Sequence, residues 1–369
     1  MKNKFFLLIT AVLVMALLTG CAGTVVVVGD CTCPTGGTEP AAPNTQATEP
    51  ANEATDAPVV GDGETALKTG LAVYTKISDS TSATAEAAGA AVYDVTIAAV
   101  TVDEKGVIRS CKVDSIPATV NFDANGVITT DLAAAIATKN ELGENYGMVA
   151  WGGAIAEWDA QVAALCDFAV GKTVAELKSG AVSESGYAPE GTDLASSATI
   201  YLGGYVSVIE AAVNNAKHMG AIDGDELKLV TLNSVASSAA ATAEKAGTAQ
   251  LDANIAVVTV REGVITSCII DAVQGKIGFD AAGTITTDLT APVATKNELG
   301  EGYGMKAWGG ATYEWNEQAA AFAAYVTGKT AAEVAGIAVA EGKPADADLA
   351  ASVTIAIGDF QGLIAKALG

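Results

Sequence analysis

Histidine is almost absent: His218 is the only one in 369 residues, and it falls in a stretch outside the internal repeat described below. A Ser–His or Cys–His nucleophile pair therefore has one badly placed histidine to draw on. No cluster of His and Cys has zinc-ligand spacing. Basic residues are scarce as well, 20 Lys and Arg against 43 Asp and Glu, for a net charge of −23. That balance argues against nucleic-acid binding and against a polybasic grip on anionic lipid. The acids are dispersed, which reads as a solvated, soluble surface that favours basic partners. Neither a P-loop nor a dinucleotide-binding glycine motif occurs. Long apolar runs are missing except near the amino terminus, so nothing further along is long enough to span a bilayer.

What the chain does have is a repeat. The stretch TKNELGENYGMVAWGG at 138–153 recurs as TKNELGEGYGMKAWGG at 295–310, identical at fourteen of sixteen positions. Lys139 and Lys296 are 157 residues apart, and the same offset relates Cys111 to Cys268, Asp114 to Asp271 and Gly171 to Gly328. A period of that length is too long for a solenoid unit and suits a whole domain. The expected organisation is a signal segment at 1–20, an anchor and stalk at 21–64, one unit at 65–216, a linker at 217–225 and a second unit at 226–369.

The first segment has Lys2 and Lys4, an apolar run from Phe5 to Leu18, and small residues before Cys21. This resembles a bacterial lipobox, which implies acylation of Cys21, palmitate included, and a protein held on the outer face of the cell membrane by lipid alone. An ordinary signal peptide and a signal anchor are the alternatives; the run is short for the roughly 20 residues of a spanning helix. The following segment, rich in Pro, Thr, Ala and Glu, has too little apolar surface to offset the entropy of ordering and reads as a disordered stalk. Cys31 and Cys33 lack further ligands nearby and make a poor metal or redox site. Cys111 and Cys268 sit in apolar runs and read as buried small hydrophobes. Five thiols follow once Cys21 is set aside, an odd number that implies no complete disulfide framework.

Each unit reads as α+β, an antiparallel meander packed with two helices. In the first, β-branched runs occupy 71–77, 92–102, 107–113, 119–122 and 127–130, with turns at 103–106 and 123–126. A helix is expected from about Glu157 to Val170, with Trp158, Val162, Leu165 and Ala169 on one face; Trp315, Ala319, Phe322 and Val326 repeat it. Acids in its first turn (Glu157, Asp159, Glu314, Glu317) suit the helix dipole. A strand at 198–202 or 353–357 and a last helix near 205–216 or 360–368 complete each unit. Glu141/Glu298 and Glu144/Glu301 are repeated acids, read as solvated or capping rather than as a general acid and base.

The informative place is the end of each unit. The first reads Asp193-Leu-Ala-Ser196-Ser-Ala198-Thr199-Ile, ahead of Gly203-Gly204 and the last helix; the second reads Asp348-Leu-Ala-Ala-Ser-Val-Thr354-Ile. This resembles the D-x-x-S-G-A-T modification motif of extracytoplasmic FMN-binding domains. Asp193, Ser196, Ala198 and Thr199 match it and Ser197 departs; the second copy keeps Asp348 and Thr354. The layout of lipid anchor, stalk and tandem units is similar to the flavinylated lipoproteins of Gram-positive extracellular electron transfer. The resemblance implies a flavin transferase that esterifies FMN through its phosphate to the threonine hydroxyl. It also implies a membrane electron donor, an extracellular acceptor or reductase partner, and a carrier rather than an enzyme. Small Ala198 would leave room for the nucleotide, and the downstream helix would offer its N-terminus to the phosphate. Tyr146, Met148 and Trp151, with Tyr303, Met305 and Trp308, are then candidates for packing on the isoalloxazine; otherwise they fix a glycine-rich loop to the core. The competing reading is a non-redox surface lipoprotein whose repeats bind wall polymer, carbohydrate or a protein. A solute-binding lipoprotein of a transporter, with two unlike lobes, fits a tandem repeat poorly.

Overall fold

The computed structural model describes residues 64–369. The expected signal segment, Cys21, Cys31, Cys33 and the expected stalk as far as residue 63 lie outside the described residues. The fold is α+β with antiparallel sheets. Strands β1 (Ala66–Lys76), β2 (Gly89–Val102) and β3 (Ile108–Phe122) form a meander, and β4 (Lys217–Ile222) adds to it in the order β3-β2-β1-β4. Strands β5 (Glu226–Ser234), β6 (Gly247–Arg261) and β7 (Val264–Phe279) form the second sheet in that order.

Alternation along β2 explains the layering. Tyr93, Val95 and Ile97 point one way, into a core shared with Leu251, Ile255, Val257 and Ile277 of the second sheet. Ala98, Val100 and Val102 point the other way, onto helices. Strands covered on both faces lose the polar half of the period-2 pattern, as β2 does from Ile97 to Val102. The shared core is tied by specific contacts. Phe122 and Phe279 stack at 4.2 Å between centroids, and Tyr93 OH donates to the Ala249 carbonyl at 2.8 Å. Ala83 N–H donates to Gly283 O at 2.8 Å and Ala241 N–H to Gly126 O at 2.9 Å.

The helices cover the outer faces. After β3 come α1 (Lys139–Leu142), a 3-10 turn (Gly143–Tyr146), α2 (Met148–Gly152), α3 (Trp158–Ala169), α4 (Val174–Ala181), α5 (Asp193–Ser197) and α6 (Gly203–Asn214). After β7 come α7 (Lys296–Leu299), a 3-10 turn (Gly300–Tyr303), α8 (Met305–Gly309), α9 (Trp315–Val326) and α10 (Ala331–Ala335). The hairpin β8 (Val339–Ala340) and β9 (Lys343–Pro344) follows, then α11 (Ala347–Ala350) and α12 (Gly358–Leu368). None of the described helices is long and apolar enough to cross a membrane.

Several expectations need correction. Two helices per unit is too few: the glycine-rich stretch and the Asp193 and Asp348 segments form short capped helices of their own. The runs at 107–113 and 119–122 are one strand, which passes through Pro117 because β3 lies at the sheet edge, where a missing N–H is tolerated. Residues 217–222 are β4 rather than linker, paired with the start of β1. Gly220 there (φ 111°) lies so near β7 that a Cβ would meet Thr266 O at 2.3 Å. The segments 198–202 and 353–357 are not strands: two amide hydrogens in each are taken by a glutamine side chain, and those at the segment ends go to Leu194 O and Gly186 O in the first and to Leu349 O and Gly342 O in the second.

Candidate functional site

The repeated stretch begins as a strap. Thr138 caps α1 in a reciprocal capping box with Glu141, and Thr295 caps α7 with Glu298. Asn140 Nδ2 donates to Val113 O and Asn297 Nδ2 to Ile270 O, each at 2.9 Å. Their backbone N–H groups donate to Asp114 and Asp271. The strap is thereby pinned to β3 and β7. Lys139 is buried, its ammonium 3.4 Å from Asp94 and over the rings of Tyr146 and Trp158. Burial opposes its charge, but Asp94 and the hydroxyls of Tyr146 and Tyr205 outweigh this and hold its pKa above the usual value. Lys296 lies over Tyr303 and Trp315, 4.9 Å from each centroid.

Left-handed glycines then turn the chain, Gly147 at φ 82° and Gly304 at φ 84°, a conformation that favours glycine. They start α2 and α8, whose first free N–H groups go to a carboxylate. Glu157 accepts from Met148 and Val149 N–H at 2.8 and 3.0 Å, and Glu314 from Met305 and Lys306 N–H at 2.8 and 2.9 Å. Glu157 and Glu314 are thus caps for a neighbouring helix, beyond the dipole role expected of them. Tyr146 and Met148, and Tyr303 and Met305, are half-buried against the helical cores. Trp151 and Trp308 are not: they are 87% and 88% exposed.

Four residues after each of these glutamates stands a glutamine that sequence reasoning missed. Gln161 and Gln318 are 0% exposed. Gln161 Oε1 accepts from Thr199 N–H at 2.8 Å, Thr199 Oγ1 at 3.3 Å and Ile200 N–H at 3.2 Å, while its Nε2 donates to Ala156 O. Gln318 does the same for Thr354 and Ile355, with Nε2 on Tyr313 O. Residues i and i+4 share a helix face, about 6 Å apart along the axis. One face of α3 therefore holds both the tryptophan-bearing helix and the Thr199 loop, and one face of α9 repeats the arrangement. The available signal was Glu-Trp-x-x-Gln, repeated at the 157-residue offset inside an otherwise apolar stripe.

Thr199 and Thr354 are exposed. Ala198, by contrast, is buried at the core, as is Val353, so this position packs the loop down. Asp193 and Ser196 are exposed on α5, which Thr192 caps; Asp348 is exposed in the first turn of α11, which Asp346 caps. No side chain caps α6, and a Cβ on Gly204 would meet nothing within 4 Å. At the matching place α12 carries Asp359, which accepts from Asn254. Glu141 and Glu298 serve the capping boxes. Among the described residues no group of His, Cys, Asp and Glu could hold a metal. Cys111, Cys166 and Cys268 are buried free thiols, and burial pushes Cys268 up to about 12.

Asp271, 6% exposed, is raised by burial from 3.8 to about 6 against the hydrogen bonds it accepts. Below the unfolded value the carboxyl is protonated in folded and unfolded chains alike. As pH climbs through the folded value, the folded chain must ionise it in a poor environment. Its contribution therefore falls between pH of about 4 and about 6, by on the order of 3 kcal/mol. Asp271→Asn is expected to gain stability on the parent across that window, read as the difference in urea midpoints at the two ends.

Comparison with protein-family models, with curated proteins and with solved structures finds no match for this chain.

Proposed function

We propose that the chain is two copies of one domain on a lipid-anchored stalk, each presenting a threonine hydroxyl for covalent attachment of FMN. The observation that carries this reading is the clamp: an exposed threonine whose backbone is fixed by a buried glutamine, on the helix face that also holds an exposed tryptophan. Such a hydroxyl is accessible to a transferase yet held by the protein core. The residues of the first half suit the group. An uncapped helix with an unobstructed Gly204 lies just after Thr199, where amide hydrogens and the helix dipole favour a phosphate. The second half suits it less well, because Asp359 puts an anion at the corresponding place.

When bound, FMN supplies electron transfer, and the protein's part is to anchor, orient and tune it. Thr199 and Thr354 would hold the phosphate. Trp151 and Trp308 offer large faces for stacking, and Lys139 and Lys296 place positive charge beneath the same strap. The partners that follow are a flavin transferase, a membrane donor and an extracellular acceptor. Chain produced beside a flavin transferase should be yellow, keep its flavin through denaturation, and gain the mass of FMN less one water at each loaded threonine. Colourless chain of unmodified mass would overturn the reading.

The exposed tryptophans also favour a second reading, a non-redox surface lipoprotein that stacks them on sugar rings of a wall polymer. Trp151→Ala with Trp308→Ala would then abolish polymer binding, while Thr199→Ala and Thr354→Ala would leave it unchanged.

A further inference from the structure

The edges of the two sheets are closed unequally. On β5, Lys366 of α12 donates its ammonium to Thr231 O at 2.7 Å and pairs with Glu141. Asn233 Nδ2 donates to Ile136 O at 3.2 Å. Together these bonds seal the β5 edge against the strap of the first half.

The corresponding residues can be read off by register. Thr231 lies opposite Ile255 in the second sheet, as Val73 lies opposite Ile97 in the first. Glu141 and Glu298 occupy the same place in their capping boxes. Lys366 stands 12 residues after Thr354, and the residue 12 after Thr199 is Ala211. Helix geometry agrees: Asn215, one turn beyond Ala211, donates to Leu71 O, which puts residue 211 beside Val73. Asn233 corresponds to Thr75, too short to reach across. The first half thus has alanine where the second has lysine, and threonine where it has asparagine, and lacks both closing bonds.

A groove lies where those bonds would be. One cavity of about 420 Å³ is lined by Val73, Asn215, Asp271, Glu298 and Asn316, with Lys217 on its wall. A second of about 500 Å³ is lined by Val73, Thr75, Pro292, Val293 and Glu298. Val73 and Glu298 belong to both. β4 pairs with β1 only as far as Thr69, so the β1 edge is unpaired by any described strand beyond it. Thr75 Oγ1 (residue 7% exposed) and Asn316 Oδ1 have no hydrogen-bond partner. Lys217 makes no ion pair within 4 Å with Glu298 or Asp271, and so does not substitute for the missing lysine.

We infer that this groove binds an aliphatic primary ammonium, which takes the place that Lys366 fills on the other side. The ammonium donates to the Glu298 carboxylate and the Val73 carbonyl, and its methylenes lie along Leu71, Val73 and Val293. Lys366 shows the binding mode within the molecule itself, and the surplus of acid over the whole chain raises the local concentration of cations. The inference does not depend on flavin attachment. The ammonium can come from a free amine or from a lysine side chain of an extended peptide lying along the β1 edge.

The test is a titration of the full chain, followed by calorimetry and amide chemical shifts. The probes are n-pentylamine, 1-pentanol and a blocked pentapeptide with a central lysine between valines. Pentylamine should bind saturably and shift the amides of residues 71–76, with pentanol weaker by about tenfold or more. Glu298→Gln keeps the capping box and should lower amine affinity by a similar factor. Ala211→Lys should raise Tm and abolish amine binding, because the new side chain fills the site as Lys366 does. A peptide that binds tighter than pentylamine identifies the peptide source, and one that binds no tighter identifies the free amine. Equal binding of pentylamine and pentanol, or undiminished amine binding by both variants, overturns the inference.

Discussion

A chain carrying both Thr199→Ala and Thr354→Ala, produced beside a flavin transferase, is expected to emerge colourless and at the mass of the bare polypeptide. The parent should carry flavin that survives denaturation. The effect is complete rather than graded because an ester needs the hydroxyl oxygen, and nothing adjacent offers a substitute held in the same way. Ser196 and Ser197 sit on α5 with their hydroxyls turned back to Thr192 O and Asp193 O, away from the Gln161 clamp. The fold should barely register the double change. Each hydroxyl contributes only the longer bonds to Gln161 and Gln318, at 3.3 and 3.2 Å, while the backbone N–H bonds at 2.8 Å remain. A cost of about 1 kcal/mol per site is the upper expectation. Loss of colour with an unchanged melting curve therefore separates chemistry from folding. The single variants carry further information: Thr199→Ala should remove more flavin than Thr354→Ala, because Asp359 opposes a phosphate beside Thr354 and Gly204 does not beside Thr199. Flavin that stays bound to the denatured double variant would sink the attachment proposal.

Sequence pattern and structure meet at different depths. The α3 stripe of Trp158, Val162, Leu165 and Ala169 is legible because burial against one sheet face imposes a helical period. The strands are legible from β-branched residues, and their turns from glycines that must take positive φ, such as Gly106 and Gly126. What could not be read is the shared core. Tyr93 alternates in β2 as any inward residue would, and nothing local says that its hydroxyl reaches the carbonyl of Ala249 in the other sheet. The threonine segments fail for a related reason. Their composition suits a strand, but strand propensity reports fit to a pleated surface, whereas here the amides of the threonine and the following isoleucine are satisfied by one distant side chain. Glutamine in an apolar stripe looks like an interruption until its partners, 38 and 36 residues away, are known. Ala198 shows the converse: a small residue beside a candidate site suggests space, while its burial, visible only in the structure, shows that it also seats the loop on the core.

Replacing that glutamine should give the largest loss of stability of any single change near the site. In Gln161→Leu the volume is nearly kept and the transfer of leucine into the core is favourable. Three donors lose their acceptor, however: the N–H groups of Thr199 and Ile200 and the Thr199 hydroxyl, which is exposed and can turn to water. The Ala156 carbonyl loses its donor as well. A buried polar group left unpaired costs about 1–3 kcal/mol, so two amides and a carbonyl together amount to several kcal/mol. The loop escapes that cost by lifting off α3, which exposes Ala198 and frees the threonine. Urea unfolding of Gln161→Leu should show a lowered midpoint, and amide exchange at Thr199 and Ile200 should become fast while the β2 amides stay protected. Flavin loading at Thr199 should fall even where the chain remains folded, because the hydroxyl is no longer held at a fixed place; Thr354, clamped by Gln318, serves as the internal control. Gln161→Glu separates the two contributions. It keeps acceptors for both amides but loses the bond to Ala156 and buries a charge, so it should unfold more easily at neutral pH than in acid. If Gln161→Leu left exchange at Thr199 and Ile200 slow, the glutamine would be a packed bystander and the clamp would not be what presents the threonine.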